Sequence, residues 1–416
     1  LTLCARRGED APHAPTRADP VGFQPEKTMP QTPTLTTREI LARLIAFPTV
    51  SRDTNLPLVD WVQDYLAGHG IASQRVMSPC GTKAHLFAGI GPDAPGGVAL
   101  SGHTDVVPVD GQNWSSDPFE MVERDGKLYG RGTCDMKGFD AMAIAAMVKA
   151  KDAPLKRPLQ LALSYDEEVG CMAVVELVEA LKASDLPRAE SVIVGEPSMM
   201  KVVTGHKGGT GFWVHIEGFE VHSSLQPYGV SAIHEGARLI QWANDMNDAM
   251  AAAEPSVLAA PFDPPYSTLH VGTISGGTAN NITAKTCDFM LGVRAVPGET
   301  GWADKMLAAG AELDARIKKI RPEAGVTMTP AFGVPPLTPE DDGPAEALAR
   351  RLTGDNGLHV VSYGTEGGQF QVRGYSAVIC GPGDIAQAHQ PDEFLEVSQL
   401  AAGDAFMDKL IADLYQ

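Results

Sequence analysis

The sequence has no uninterrupted apolar run long enough to cross a bilayer, which argues against a membrane protein. Basic residues are scarce, with 33 lysines and arginines against 52 acids and a net charge of −19. Nucleic acid binds basic surfaces, so this balance argues against it as the main partner. The charge fits a cytoplasmic protein that stays in solution, and carries no information about fold. Cysteine is sparse. Cys4, Cys80, Cys134, Cys171, Cys287 and Cys380 lie far apart, with no CxxC pair. That spacing argues against a disulfide framework and predicts reduced, buried thiols. Two arginines near the start are not followed by the apolar core of a signal peptide. No internal repeat is evident.

What is present divides the chain. Residues 1–28 are polar, proline-bearing and aperiodic, which predicts a disordered extension, with the functional protein beginning near Met29. "TTREILARLIAF" carries a helical stripe of Ile40, Leu41, Leu44 and Ile45, and "LPLVDWVQDYLAGHG" reads as a second helix stopped by glycine. Apolar runs then alternate with helical segments such as "MKGFDAMAIAAMVKA". This pattern predicts an α/β fold with a mostly parallel twisted sheet flanked by helices. Between 208 and 334 the order becomes strand, helix, strand, strand, helix, strand, the split βαβ pattern of a small ferredoxin-like α+β domain. The expected layout is a catalytic domain in two parts, 29–207 and 335–416, interrupted by that domain.

In parallel sheets, sites gather beyond the carboxyl ends of the strands. Four apolar runs end in polar residues suited to chemistry. "GVALSGHTD" runs into His103, "LQLALSYDEE" into Asp166, Glu167 and Glu168, and "SVIVGEP" into Glu196. "SAVICGPG" leads through a short loop to His389. Asp135 lies in "GRGTCDMKG", ahead of a helix. Taken singly, His103 is an ordinary loop histidine, Asp135 a helix cap, and "DEE" a solvated loop. Together, two imidazoles and three carboxylates suit a pair of zinc-like ions. Such ions supply the positive charge that three adjacent acids at the edge of a core require. Asp105 is placed to steady the His103 ring, as acids behind metal-bound imidazoles do. One of Glu167 and Glu168 is left free as a base, and the residues alone do not choose between them.

"SGHTDVVP", "YGRGTCDMKG", "SYDEEVG", "VGEP" and "QAHQPDE" resemble, in order and spacing, the metal-binding motifs of the M20 family of dinuclear zinc amidohydrolases and peptidases. The resemblance runs from about Leu35 to the C-terminus. It implies His103, Asp135, Glu168, Glu196 and His389 as ligands of two divalent ions, zinc or alternatively cobalt, with Asp135 bridging and followed by a cis peptide. It implies Glu167 as the general base that activates water. It implies His222, in "EVHSSLQP", as an oxyanion donor reaching the other subunit of a homodimer formed through the inserted domain. Arg294 and Asn281 match positions that clamp a substrate carboxylate. "GEPSMMKVVTGHKG", with Lys207, and "YGTEGGQF", with Glu366, resemble the branch that deacetylates an N2-acetylated diamino acid. Lys207 is implied in substrate binding, and Glu366 in holding the side-chain ammonium. The implied partner is thus a small N-acyl amino acid. The Ser198–Met200 segment departs from the family pattern, in which threonine often follows the proline.

Overall fold

The stripe of Ile40, Leu41, Leu44 and Ile45 is the buried face of a helix over Thr37–Ile45. Thr36 and Glu39 start it with a capping box, each side chain accepting the other's backbone N–H. The second helix, Leu56–Gly68, is followed by Gly70 in the left-handed region, where glycine is favoured. The computed structural model describes residues 32–416, so the expectations for residues 1–28, Cys4 and Met29 lie outside the described residues. Among the described residues no helix is long and apolar enough to cross a membrane.

A twisted sheet of eight strands organises the larger part. Its four middle neighbours are Leu159–Ser164, Gly97–His103, Ala189–Pro197 and Ser376–Gly381. They run parallel, so their carboxyl ends lie side by side. Antiparallel pairs flank them. On one side Ser73–Met77 pairs with Ala84–Ile90, which pairs with Leu159–Ser164. On the other, Ser376–Gly381 meets Val203–His206, itself parallel to His359–Val361. Successive strand side chains point to opposite faces. Leu100 and Leu161 enter one core with Ile40, Phe139 and Met142, while Ala99 and Ala162 enter another with Leu177 and Phe370. Burying each large apolar side chain contributes about 1.5–3 kcal/mol.

The helix Lys137–Ala150 is rich in alanine and methionine, good helix formers, and nearly all its residues are buried. It comes so close to the sheet that a Cβ at Gly195 would stand 1.9 Å from Phe139 Cγ. Only glycine fits there, directly before Glu196.

The stretch Gly208 to Val334 forms a separate four-stranded antiparallel sheet, ordered Thr268–Gly276, Thr286–Ala295, Gly208–Glu217, Gly325–Val334. Helices Ala232–Ala252 and Trp302–Ile320 cover one face and bury Val214, Leu291 and Phe289. The alternate residues Trp213, Met290 and Arg294 point the other way, into a cleft shared with the large sheet. One expectation about cysteine needs correction. Cys134, Cys171, Cys287 and Cys380 are free and buried, but Cys80 is exposed. It sits in the turn between Ser73–Met77 and Ala84–Ile90, a hairpin with no core over its tip.

Candidate metal centre and substrate cleft

His103 is the last residue of its strand, and Glu196 is next to last in the adjacent one. Asp135 precedes the buried helix, across a cis peptide to Met136. His103 Nε2 lies 3.1 Å from Asp135 Oδ1 and 3.7 Å from Glu196 Oε1. His389 Nε2 lies 3.2 Å from the other oxygen, Asp135 Oδ2, and 3.0 Å from Glu168 Oε2. The two imidazoles thus address opposite oxygens of one carboxylate, and each has a further glutamate beside it. His103, Asp135 and Glu168, and likewise His103, Glu167 and Glu196, offer atoms close enough to one another to hold a metal ion.

The charges in this cluster conflict. Burial, and then the Asp135 carboxylate, push Glu168 up to about 8. Burial, then Asp135 and Glu167, push Glu196 well above the usual carboxylate range. Burial works against charge on Asp135, but hydrogen bonds from His103 and His389 outweigh it and hold Asp135 well below that range. Burial also opposes charge on His103; the Asp135 hydrogen bond and the charges of Glu196 and Glu167 outweigh it and raise that imidazole. Hydrogen bonds to Asp135 and Glu168 lift His389 to about 10. Glu168 Oε1 is buried without a hydrogen-bond partner among the described residues. Burial that raises the glutamates and carboxylates that raise the imidazoles both mark a cluster whose acids call for positive charge. The nitrogen and oxygen donor set, its convergence and the orphaned oxygen fit a pair of divalent cations.

A supporting layer fixes these groups. His103 Nδ1–H donates to the backbone carbonyl of Asp105 at 2.9 Å, while the Asp105 carboxylate stands at 3.6 Å. The ring is therefore steadied by the carbonyl rather than by the side chain expected from sequence. The Asp105 carboxylate instead accepts from Ser51 Oγ at 2.7 Å and from the N–H groups of Glu167 at 3.2 Å and Glu168 at 3.4 Å, so it shapes the acidic loop. Each acid of that loop has its own partner: Asp166 meets Lys83, Glu167 meets Cys171, and Glu168 meets His389. Sequence reasoning missed Arg131 and Glu393. Glu393 Oε1 accepts from Cys134 N–H at 2.9 Å and Asp135 N–H at 3.1 Å, and Arg131 neutralises its other oxygen. The available signal was charge inside the motifs themselves, Arg131 in "GRGTCD" and Glu393 four residues after His389.

The cluster opens into a cleft of about 540 Å³. Asp135, Glu167, Glu168, Glu196 and His389 line one side. Trp213, Met290, Arg294 and Phe332 of the smaller sheet line the other. The remaining expected residues are not on this wall. Glu366 is buried behind it, and burial and then Glu167 push it up to about 8. Lys207 is buried too, its Nζ donating to the carbonyls of Pro264 at 2.7 Å and Tyr266 at 2.8 Å. His222 and Asn281 are exposed neighbours, joined by a β-bridge at Ile282 and by Ser223 N–H donating to the Asn281 carbonyl at 2.8 Å. Neither lines the cleft.

Known proteins match this chain over nearly its whole length. Peptidase family M20/M25/M40 matches residues 99–413. An acetylornithine deacetylase from Myxococcus xanthus is 34% identical over 389 residues, which is 90% of this chain and 96% of that protein. Among solved structures, an M20 family metallo-carboxypeptidase from Sulfolobus solfataricus superposes with a TM-score of 0.73 at 17% identity, over 91% of this chain and 99% of that one. Human carnosine dipeptidase 1 superposes with a TM-score of 0.68 at 18% identity, over 91% and 97%. The two structural likenesses establish the fold.

Proposed function

The chain belongs to peptidase family M20/M25/M40 and is a hydrolase, and from that premise we propose that it removes the acetyl group from N2-acetyl-L-ornithine, giving acetate and ornithine in the cytoplasm, a step of arginine biosynthesis. The observation that carries this reading is the arrangement around one cleft: the paired-cation cluster, Glu167 beside it, and Arg294 across from it. The 34% identity to an acetylornithine deacetylase supports the choice of substrate.

His103, Asp135, Glu168, Glu196 and His389 would hold two divalent ions, zinc or cobalt by donor type, with Asp135 between them. Such ions, when bound, lower the pKa of water and polarise a carbonyl. Glu167 takes a proton from the attacking water as the new C–O bond forms. It returns that proton to the leaving nitrogen as the amide C–N bond breaks. Burial raises Glu167, which suits a base that must also act as an acid. Arg294 offers two coplanar donors to the substrate carboxylate. Asn281 assists, and His222 donates to the developing oxyanion. The last two are supplied by the second chain of a homodimer formed through the smaller sheet and its helices, since both are exposed and off this chain's own cleft.

A second reading is favoured by one observation. Apart from the acids of the cluster, no carboxylate among the described residues lines the cleft, because Glu366 is buried behind it, while Trp213, Met290 and Phe332 do line it. That wall suits an N-acyl amino acid with a neutral side chain. A panel of N-acetyl, N-succinyl and dipeptide substrates, assayed with loaded and chelated protein, tests both. Turnover of acetylornithine above acetylmethionine and succinyl-diaminopimelate supports the first reading. Preference for acetylmethionine supports the second. No metal-dependent turnover of any of them ends both.

A further inference from the structure

We propose that Cys171 is a positioning residue for Glu167, its thiol holding one oxygen of the base so that the other is presented to the reacting water. The proposal rests on the reading of Glu167 as the base. Cys171 Sγ lies 2.9 Å from Glu167 Oε1, and both residues line the cleft. A carboxylate only accepts, so the thiol is the donor. Among the described residues no other group hydrogen-bonds to the Glu167 carboxylate. Its neighbours are tied by ionic partners, Asp166 to Lys83 and Glu168 to His389. Among the described residues this contact is therefore the one hydrogen bond that fixes the Glu167 rotamer.

The backbone fixes where the thiol points. Cys171 has φ +53°, in the left-handed region, and its N–H closes a turn onto the Glu167 carbonyl at 2.9 Å. Its own carbonyl accepts from Gln369 Nε2 at 3.1 Å, and Gln369 Oε1 in turn accepts from Arg373 Nη1 at 2.8 Å. This chain of contacts holds the Cys171 backbone in place. A thiol is a weak donor. It restricts the swing of a long, flexible glutamate while taking little from its basicity.

The test uses the metal-loaded full chain with Cys171→Ala, Cys171→Ser, Glu167→Gln and the Cys171→Ala/Glu167→Gln pair. Cys171→Ala is expected to lower kcat about tenfold or more, with KM, metal content and Tm nearly unchanged. Cys171→Ser keeps a donor and recovers most of the loss. Added to Glu167→Gln, Cys171→Ala costs nothing further, because the two act as one unit. Unchanged kcat in Cys171→Ala overturns the proposal. So do equal losses in the Ala and Ser variants, or a loss that follows metal content or Tm. If Glu167→Gln keeps its turnover, the base assignment itself fails; if Glu167→Gln is dead and Cys171→Ala is fully active, only the positioning role fails.

Discussion

Arg131 Nη1 stands 2.7 Å from Glu393 Oε2, and both side chains are about 1% exposed. The pair sits under the loop that carries Asp135, and the free oxygen of Glu393 gathers the N–H groups of Cys134 and Asp135. A buried pair adds little net stability, but removing one partner leaves an unpaired charge and costs about 3–5 kcal/mol. Glu393→Ala also frees two N–H groups that orient the central carboxylate. It is expected to lower both Tm and metal affinity. Replacing Arg131 and Glu393 together by apolar residues should restore Tm more than metal affinity, measured by unfolding and by competition with a chelator.

The two adjacent glutamates should separate by what they lose. Glu168 touches His389 at 3.0 Å and has an orphaned oxygen, whereas among the described residues the Glu167 carboxylate hydrogen-bonds only to the Cys171 thiol. Glu168→Gln should reduce bound metal and lose activity in proportion. Glu167→Gln should keep both ions and lose at least about a thousandfold in turnover, near the upper range for removing a general base. Metal analysis beside kcat decides, and full activity in Glu167→Gln contradicts its role.

These expectations came from sequence because strand order in a parallel sheet is a strong constraint. Apolar runs ending at His103, Glu168 and Glu196 mark adjacent carboxyl ends, and the smaller sheet shows itself in its element order. Other features depend on long-range contact. Nothing local to Cys80 signals that its hairpin tip is exposed, and nothing local to Glu366 or Lys207 signals burial away from the cleft wall. Asp105 was legible as an acid near His103, but which of its oxygens meets the ring is decided by the backbone path from the strand end to the Val50–Val106 bridge. Arg131 and Glu393 are 262 residues apart, and neither apolar period nor spacing couples them.

His206 gives the fold a dependence on pH that is independent of the metal cluster. Its Nδ1–H donates to the Lys207 carbonyl at 2.9 Å, and its Nε2 accepts from Gly368 N–H at 3.2 Å. A second proton would set donor against donor. Burial lowers this imidazole from 6.5 to about 4. The unfolded chain therefore takes up the proton first as pH falls, so stability is full above pH 6.5 and declines down to about 4. The shift corresponds to about 3 kcal/mol. His206→Gln should flatten the pH dependence of unfolding in this window, read from chemical denaturation at several pH values.

Arg294 is the cation on the cleft wall opposite the acids, so its loss should be felt in substrate binding. A hydrogen bond to a charged group is worth about 1.5–3 kcal/mol, which predicts a rise in KM of about tenfold to a hundredfold for Arg294→Ala. Arg294→Lys should recover part of this, because a point charge lacks the paired, planar donors. A substrate whose carboxylate is replaced by an amide should react poorly with both wild type and variant. Equal KM values for wild type and Arg294→Ala would place the clamp elsewhere.

His222 yields the sharpest test of assembly. Its ring is exposed, lies within hydrogen-bond distance of Ser224 Oγ at 2.8 Å, and does not line this chain's own cleft. If it serves the cleft of a second copy, each working site combines Glu167 of one chain with His222 of the other. His222→Ala and Glu167→Gln are each expected to be inactive as pure proteins. A mixed dimer restores one complete site, because the chain with intact Glu167 receives His222 from the other. Random pairing makes half the dimers mixed, so co-expression should return about a quarter of wild-type activity. If His222 instead folds onto its own cleft, every site in the mixture carries one defect and activity stays absent. Full activity in His222→Ala alone would remove it from the reaction in either arrangement.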